Sequence, residues 1–341
     1  MRPVRPQPAT RPQPASTSPA RVTVVFAHPD DETIGLGATL PYLPSVELVC
    51  VTDGAARDGA DARRAGCRDC AEYAALRHGE LCRVLTTCGH QATQLHSFGL
   101  PDKEASASLV ELARALAALF AERPPATVVT HPYEGGHPDH DATAFAVHAA
   151  CRLLRASSRT APRVLEMTSY HRGRGEIEWS TFLPGPMPIY TRPLDRRAQL
   201  LKRRLLDCHA SQQAMLRLVP LDAERFRPAP AYDFTAPPHP GELLYEHFGW
   251  GPDGATWRAS ARAAFTALGL PARVSPLPGT SSMSRFRRHL SVATPWAAPS
   301  RFARAQRGAR ARQASLVRDR LRRLAARGGG RARSCPGTFG D

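Results

Sequence analysis

The sequence lacks any apolar run long enough to cross a bilayer. A membrane-spanning helix requires ~18–20 consecutive, mainly apolar residues, and no segment of the 341-residue chain reaches that length. The first residues also lack the apolar core of a secretory signal. These two absences argue against a protein with membrane-spanning helices and lead us to expect a cytoplasmic location.

Cysteine is too scattered to indicate a disulfide scaffold. The eight cysteines fall within segments that have the patterns of helices and strands, which favours a reducing compartment. Cys67 and Cys70 form one CxxC pair, but no second CxxC or HxxxH follows at zinc-finger spacing. We therefore expect this pair to pack in a helix, in preference to a metal or redox role.

Net charge is nearly absent from most of the chain, although the whole sequence carries +16. The segment 281–341 contains fifteen arginines, no lysine and two aspartates, which gives it +13 and leaves +3 for residues 1–280. The high pI therefore does not indicate a nucleic-acid-binding surface on the body of the protein.

The two ends of the chain are too poor in apolar residues to predict a packed core. Residues 1–20 contain six prolines and are predicted to form a disordered leader. Residues 276–341 are rich in Ser, Pro, Ala and Arg and are predicted to form a basic, largely disordered tail. The alternative is that a short basic helix in this tail binds nucleic acid or an anionic surface, which would make the chain a binding protein on a Rossmann-like scaffold.

The residues between these ends, 21–275, alternate buried strands with amphipathic helices. Strands are predicted to start at residue 22 and to span 46–52, 94–100, 126–130 and 163–170. Helices are predicted at residues 32–43, 67–88, 104–123, 141–154 and 194–211. This alternation predicts an α/β fold with a Rossmann-like, doubly wound and mostly parallel sheet. We expect a mobile loop at residues 55–65 and an irregular segment packed over the sheet at residues 220–257.

Ionisable side chains follow two of the predicted strands directly. The segment HPDDE spans residues 28–32, and HPDH spans residues 137–140. Because the carboxyl ends of parallel strands share one edge of the sheet, we expect these side chains to meet there. Imidazoles and carboxylates in this number are the donors of a catalytic zinc site, which uses three protein ligands and a separate carboxylate as base. Taken singly, each residue has a simpler interpretation, such as Asp30 or Asp31 capping the helix that follows.

A dinucleotide-binding site is the main competing interpretation of such a fold. The glycines of its phosphate-binding fingerprint would have to lie in the turn after the first strand. Gly35 and Gly37 lie instead inside the predicted helix, and residue 40 is leucine. The fingerprint is therefore missing where it would be required.

Four motifs resemble those of the LmbE/PIG-L family of zinc-dependent N-acetylglucosaminyl deacetylases. They are AHPDDE at 27–32, TDG at 52–54, FGLPD at 98–102 and THPYEGGHPDHDAT at 130–143. The resemblance covers residues 21–151 well and the region to about residue 257 loosely. It implies a Rossmann-like catalytic domain over residues 21–275, with Zn²⁺ as cofactor and an N-acetylated amino sugar or glycoconjugate as substrate. Fe²⁺ also suits a set of two histidines and one carboxylate.

The resemblance also implies a role for each matching residue. The metal ligands would be His28, Asp31 and His140. Asp30 would be the general base on a water activated by the metal. His137 would act as an imidazolium that holds the oxyanion and protonates the leaving amine, with Asp139 orienting it.

Two residues are expected to contact the substrate. Arg77 matches an arginine that faces the substrate in family members, although a solvated helix residue is an equally good interpretation. Some members also place a tyrosine two residues before the first histidine of HPDH, where it polarises the carbonyl. Here that position is Gly135, which leaves either the nearby Tyr133 or a different donor for this task.

Overall fold

Seven strands form one sheet that runs through the middle of the protein. The computed structural model describes residues 21–43, 45–173 and 177–272. The order of strands in the sheet is β3-β2-β1-β4-β5-β9-β8. The strands of this sheet are β1 (Val22–Phe26), β2 (Val46–Ala56), β3 (Leu95–Asp102), β4 (Thr127–Thr130), β5 (Arg163–Met167), β8 (Tyr190–Pro193) and β9 (Ala223–Pro228). A separate hairpin pairs β6 (Tyr170–Arg172) with β7 (Ile177–Trp179).

The first five strands are parallel, and β1 lies at the point where the strand order reverses. It pairs with β2 on one side, with Val22 opposite Val46, and with β4 on the other, with Val22 opposite Thr127. In an open α/β sheet, the crevice outside the carboxyl ends of two such strands is where ligands bind. The last two strands, β9 and β8, extend the sheet in antiparallel pairing.

Helices cover both faces of the sheet. The helices are α1 (Asp31–Leu36), α2 (Ala60–Arg64), α3 (Cys70–Thr87), α4 (Leu109–Glu122), α5 (Pro138–Ala156), α6 (Arg196–Cys208), α7 (Gln213–Leu216), α8 (Leu244–Phe248) and α9 (Gly254–Ala267). Within the described residues, short 3₁₀ turns span Leu40–Tyr42, Ala92–Gln94, Ala105–Ser108 and Ala210–Gln212.

Alternate side chains of β1 enter two different hydrophobic cores. Val25 packs in the core that contains residues of α4, α5 and α9, whereas Val24 and Phe26 pack in the core that contains residues of α1, α3 and α6. This is the two-residue period of a strand buried on both faces. The predicted doubly wound, mostly parallel α/β sheet is therefore confirmed.

Two predicted segments are more regular than the sequence indicated. The expected mobile loop at 55–65 contains the end of β2 and all of α2. The expected irregular segment at 220–257 contains β9, which is an internal strand of the sheet. Two charged side chains of β9 are buried as ion pairs, with Glu224 3.2 Å from Lys202 and Arg227 2.6 Å from Glu166.

Helix boundaries differ from prediction where a cap or a 3₁₀ turn intervenes. Helix α5 begins at Pro138, not at residue 141, because proline is favoured in the first turn and the side chain of His137 caps the helix. The predicted helix at 104–123 is a 3₁₀ turn followed by α4. Of the helices in the described ranges, none combines the length and apolarity needed to cross a bilayer. The predicted leader and basic tail lie outside the described residues.

Candidate metal and active site

The two ionisable segments meet at the carboxyl edge of the sheet. HPDDE leads from β1 into α1, and HPDH leads from the loop after β4 into α5. The rings of His28 and His140 have centroids 5.2 Å apart, and those of His28 and His137 4.4 Å apart. The adjacency of β1 and β4 thus brings together residues more than a hundred positions apart in the sequence.

His28 separates two groups of possible ligands. Its Nδ1 lies 3.1 Å from Oδ2 of Asp31, and its backbone N–H donates to the same oxygen at 2.8 Å. Its Nε2 lies 3.0 Å from Oδ1 of Asp102 and 3.2 Å from Oδ2 of Asp139. Burial alone would lower the pKa of His28, but these carboxylates raise it well above the ordinary value.

His28, Asp31 and His140 form a compact set of donors. Nε2 of His140 lies 3.2 Å from Oδ1 of Asp31 and has no hydrogen-bond partner among the described residues. Burial lowers the pKa of His140 to about 3, so its imidazole is neutral and able to bind a metal ion. The three side chains offer ligand atoms within 4.8 Å of one another. Two imidazoles and one carboxylate at this spacing fit a divalent metal ion with an open position.

A further histidine, His131, packs against this set of donors. The ring of His131 stacks on that of His140, with centroids 4.0 Å apart and planes 6° from parallel. Its Nε2 accepts a hydrogen bond from the N–H of Ala27 at 3.1 Å and lies 3.3 Å from Oδ2 of Asp31. His131 therefore packs against two of the three donors.

Asp30 lies beside the donor set and is held by Arg77. Nη2 of Arg77 donates to Oδ2 of Asp30 at 2.9 Å and to the carbonyl of Pro29 at 2.9 Å. Burial raises the pKa of Asp30 to about 6, although the Arg77 charge acts to lower it. A carboxylate in this range is well matched to accept a proton from water near neutral pH.

Arg77 is placed under Asp30, not on an open substrate surface. Its side chain is only 6 % exposed, and its Nη1 donates to the carbonyl of Gly54 at 2.8 Å. Gly54 has φ +68°, and a Cβ there would lie 2.4 Å from Nη1. The glycine of the TDG motif is therefore required by the close approach of the guanidinium.

The carboxylate of Asp139 lies closer to His28 than to His137. Its Oδ2 is 3.2 Å from Nε2 of His28 but 3.8 Å from Nδ1 of His137. The same carboxylate accepts backbone N–H groups from Lys103 at 2.6 Å and Ala105 at 3.0 Å. We expected Asp139 to orient His137; the structure places its carboxylate nearer to His28.

His137 has the geometry of a neutral imidazole. Its Nδ1 accepts the N–H of Asp139 at 3.2 Å, as the cap of α5, which leaves the ring proton on Nε2. Burial and the neighbouring His28 lower the pKa of His137 well below its ordinary value. The expected imidazolium would have to give up the capping bond, so the structure favours a neutral hydrogen-bond donor.

Asp102 and His131 are two site residues to which the sequence assigned no role. Oδ1 of Asp102 lies 3.7 Å from Nε2 of His137 as well as 3.0 Å from His28, so it forms a second possible donor group with these two and Asp139. Asp102 ends β3, and His131 follows β4 directly. Both residues lie at the carboxyl end of a parallel strand, so the reasoning that identified HPDDE also identifies them.

Part of the chain matches the model of a known protein family. Residues 23–151 match the family model described as PIG-L, GlcNAc-PI de-N-acetylase. We refer to residues 23–151 as the PIG-L domain, after the family model that they match. The chain has no match among curated proteins.

Several solved structures resemble this chain in fold. A structure described as the zinc-inhibited form of teicoplanin deacetylase Orf2 is 17% identical, with 61% of this chain and 97% of that chain covered and a TM-score of 0.47. The N,N'-diacetylchitobiose deacetylase of Pyrococcus horikoshii is 21% identical, with 61% and 83% covered and a TM-score of 0.44.

Tyr133 lies inside the PIG-L domain but away from the donor set. Its ring packs in the hydrophobic core, with the centroid of Trp257 5.4 Å away. Its hydroxyl donates to the carbonyl of Ala236 at 2.9 Å. Contact with a substrate at His140 would require this tyrosine to leave the core, so the structure does not bring Tyr133 together with the other predicted residues.

Two aromatic residues beyond the PIG-L match lie against histidines of the site. The ring of Tyr170 is 5.1 Å from that of His140, and the ring of Trp250 is 5.6 Å from that of His137. Both side chains are half-buried. They come from the hairpin strand β6 and from the segment between α8 and α9.

Proposed function

We propose that this protein is a metal-dependent hydrolase that removes the acetyl group from an N-acetylglucosamine-type sugar or glycoconjugate. The observation that carries the proposal is the set of His28, Asp31 and His140 with Asp30 beside it, inside a PIG-L domain. A base next to a two-histidine, one-carboxylate metal site is the arrangement that amide hydrolysis by an activated water requires.

The metal ion would be held by His28, Asp31 and His140. Zn²⁺ fits this set, and Fe²⁺ fits it as well. When bound, the ion would act as a Lewis acid toward both the attacking water and the amide oxygen. Asp139 would support the site by fixing the ring of His28, since a carboxylate on the outer ring nitrogen orients a histidine ligand.

Asp30 would accept the proton of the attacking water. Its Oδ2 is occupied by Arg77, which leaves Oδ1 for the proton. The protonated Asp30 can then deliver that proton to the nitrogen of the leaving amine as the carbon–nitrogen bond breaks. This replaces the imidazolium expected at His137, whose Nε2–H would instead donate a hydrogen bond to the amide oxygen.

A screen for released acetate tests the proposal. Purified protein loaded with Zn²⁺ or with Fe²⁺ would be incubated with N-acetylated monosaccharides, oligosaccharides, glycopeptides and glycolipids, and its metal content measured in the same sample. We expect acetate and a free amine from at least one N-acetylglucosamine derivative. Protein that contains metal but releases no acetate from any of them would refute the proposal.

A further inference from the structure

Gly135 stands where the resemblance places a tyrosine, and its backbone conformation disfavours a larger side chain. Gly135 has φ +67°, and a Cβ on it would lie 2.7 Å from Cδ2 of Leu243. A Cβ on the next residue, Gly136, would lie 2.1 Å from the backbone carbonyl oxygen of Tyr170. The two glycines before HPDH therefore allow another part of the chain to pack closely over this loop.

The segment that packs there brings Tyr170 to the donor set. Tyr170 begins β6 and pairs with Trp179 of β7, with their ring centroids 5.0 Å apart. The N–H of Ser180 donates to the carbonyl of Ser169 at 2.8 Å, which extends the hairpin by one bond. The ring of Tyr170 is thus fixed on one side by Trp179 and lies 5.1 Å from the ring of His140 on the other.

The hydroxyl of Tyr170 is available to a substrate. It makes no hydrogen bond with the described residues. Its oxygen atom is also not fully buried. Besides burial, the charges of Asp31, Asp30, Asp102 and Asp139 act on this phenol and raise its pKa well above the ordinary value. A phenol keeps its proton near neutral pH, so this hydroxyl beside His140 is a hydrogen-bond donor.

We propose that Tyr170 is a catalytic residue, whose hydroxyl donates a hydrogen bond to the amide oxygen of the substrate and holds the negative charge that develops there. This inference rests on the proposed function. The phenol keeps its proton throughout: the water oxygen bonds to the carbonyl carbon, the carbon–nitrogen bond breaks, and the proton that reaches the nitrogen comes from Asp30. Tyr170 and Nε2–H of His137 would then be two donors to one oxyanion.

Tyr133 is a weaker candidate for this task. Its hydroxyl already donates a hydrogen bond to the carbonyl of Ala236, and its ring is part of the core. The electrostatic neighbours of its phenol are Asp141, Arg258 and Asp233, none of which belongs to the donor set. Tyr170 requires no rearrangement of this kind.

The substitution Tyr170→Phe tests the proposal, because it removes the hydroxyl and keeps the ring against His140 and Trp179. Loss of one oxyanion donor lowers kcat by about 10²–10³-fold, and we expect that loss with KM, metal content and Tm close to wild type. Tyr42→Phe is the matched control, since Tyr42 is exposed and lies outside the site. It should leave kcat unchanged.

A binding measurement gives a readout that does not depend on turnover. Glucosamine N-methylphosphonamidate mimics the tetrahedral state, and calorimetry should show that Tyr170→Phe weakens its binding by about the same factor as kcat, since analogues of the transition state report its stabilisation. Binding of glucosamine, the product, should not change.

Two results would overturn the proposal. One is a Tyr170→Phe enzyme with wild-type kcat. The other is a Tyr170→Phe enzyme whose affinities for the phosphonamidate and for glucosamine fall by the same factor, which would assign Tyr170 to packing only. Either result leaves the proposed deacetylase intact if the wild type releases acetate. A wild-type protein that neither releases acetate nor binds the phosphonamidate would refute the proposed function and this inference together.

Discussion

Removal of Arg77 should move the acidic limb of the pH–activity profile to higher pH. Arg77 donates to Oδ2 of Asp30 at 2.9 Å in a buried setting, and its charge lowers the pKa of that carboxyl. Burial already raises the pKa of Asp30 to about 6. Without the guanidinium the pKa rises further, so the ionised base is lost at a higher pH than in the wild type.

The expected size of the shift follows from the geometry of the pair. An arginine in contact with an aspartate lowers the pKa of the aspartate by about 1–3 units, and each unit corresponds to about 1.4 kcal/mol. Arg77→Met should therefore move the acidic limb of kcat/KM upward by about 1–3 pH units. Arg77→Lys should give a smaller shift, because it keeps the charge but not the paired donors of the guanidinium.

The assay is kcat/KM for acetate release across pH, with metal content and Tm measured for each variant. Arg83→Met is the control, since Arg83 is on the same helix but its side chain is 55% exposed. Breaking a buried ion pair costs about 3–5 kcal/mol, so a lower Tm is expected for Arg77→Met. A folded, metal-loaded Arg77→Met enzyme whose acidic limb coincides with that of the wild type would refute the assignment of Asp30 as the base.

Three further substitutions separate chemistry, metal binding and folding. Asp30→Asn should retain metal and lower kcat by about 10²–10⁴-fold, because the amide oxygen can still accept from Arg77; a loss of metal instead would contradict its role. Asp139→Asn should weaken Zn²⁺ affinity by about 10–100-fold, measured by competition with a chelator, since it disturbs the carboxylate that faces His28. Leu116→Ala should lower the free energy of unfolding in urea by about 2–5 kcal/mol with the same m-value, because Leu116 is fully buried in the core under α4; a smaller loss would indicate that the core collapses around the cavity.

The meeting of HPDDE and HPDH could be predicted from the sequence because it follows from topology. HPDDE follows β1 and HPDH follows the loop after β4, and the carboxyl ends of such parallel strands share an edge. His28 and His140 are accordingly neighbours in the structure. The residue types alone then predict the chemistry of a metal site.

The partner of each side chain could not be predicted in the same way. Asp139 faces His28 and not the adjacent His137 because backbone N–H groups of Lys103 and Ala105 hold its carboxylate. Strand β9 was missed because Glu224 looks like a surface residue until Lys202 of α6 is seen against it. These pairings join residues far apart in sequence, and no local pattern encodes them.

Tyr170 was missed for a related reason. It lies beyond the segment that matches the PIG-L family, and its backbone approaches the loop at Gly136, where a Cβ would lie 2.1 Å from the carbonyl oxygen of Tyr170. The two glycines were visible in the sequence, but what packs against them was not.

The central claim is that His28, Asp31 and His140 hold one metal ion that the reaction requires. The most direct measurement is acetate release from the best N-acetylglucosamine derivative as chelator-stripped protein is titrated with Zn²⁺, with bound metal determined at each point. We predict negligible activity in stripped protein, recovery that saturates at about one ion per chain, and neither tight binding nor recovery in His140→Ala. Full activity in protein shown to be free of metal would contradict the account.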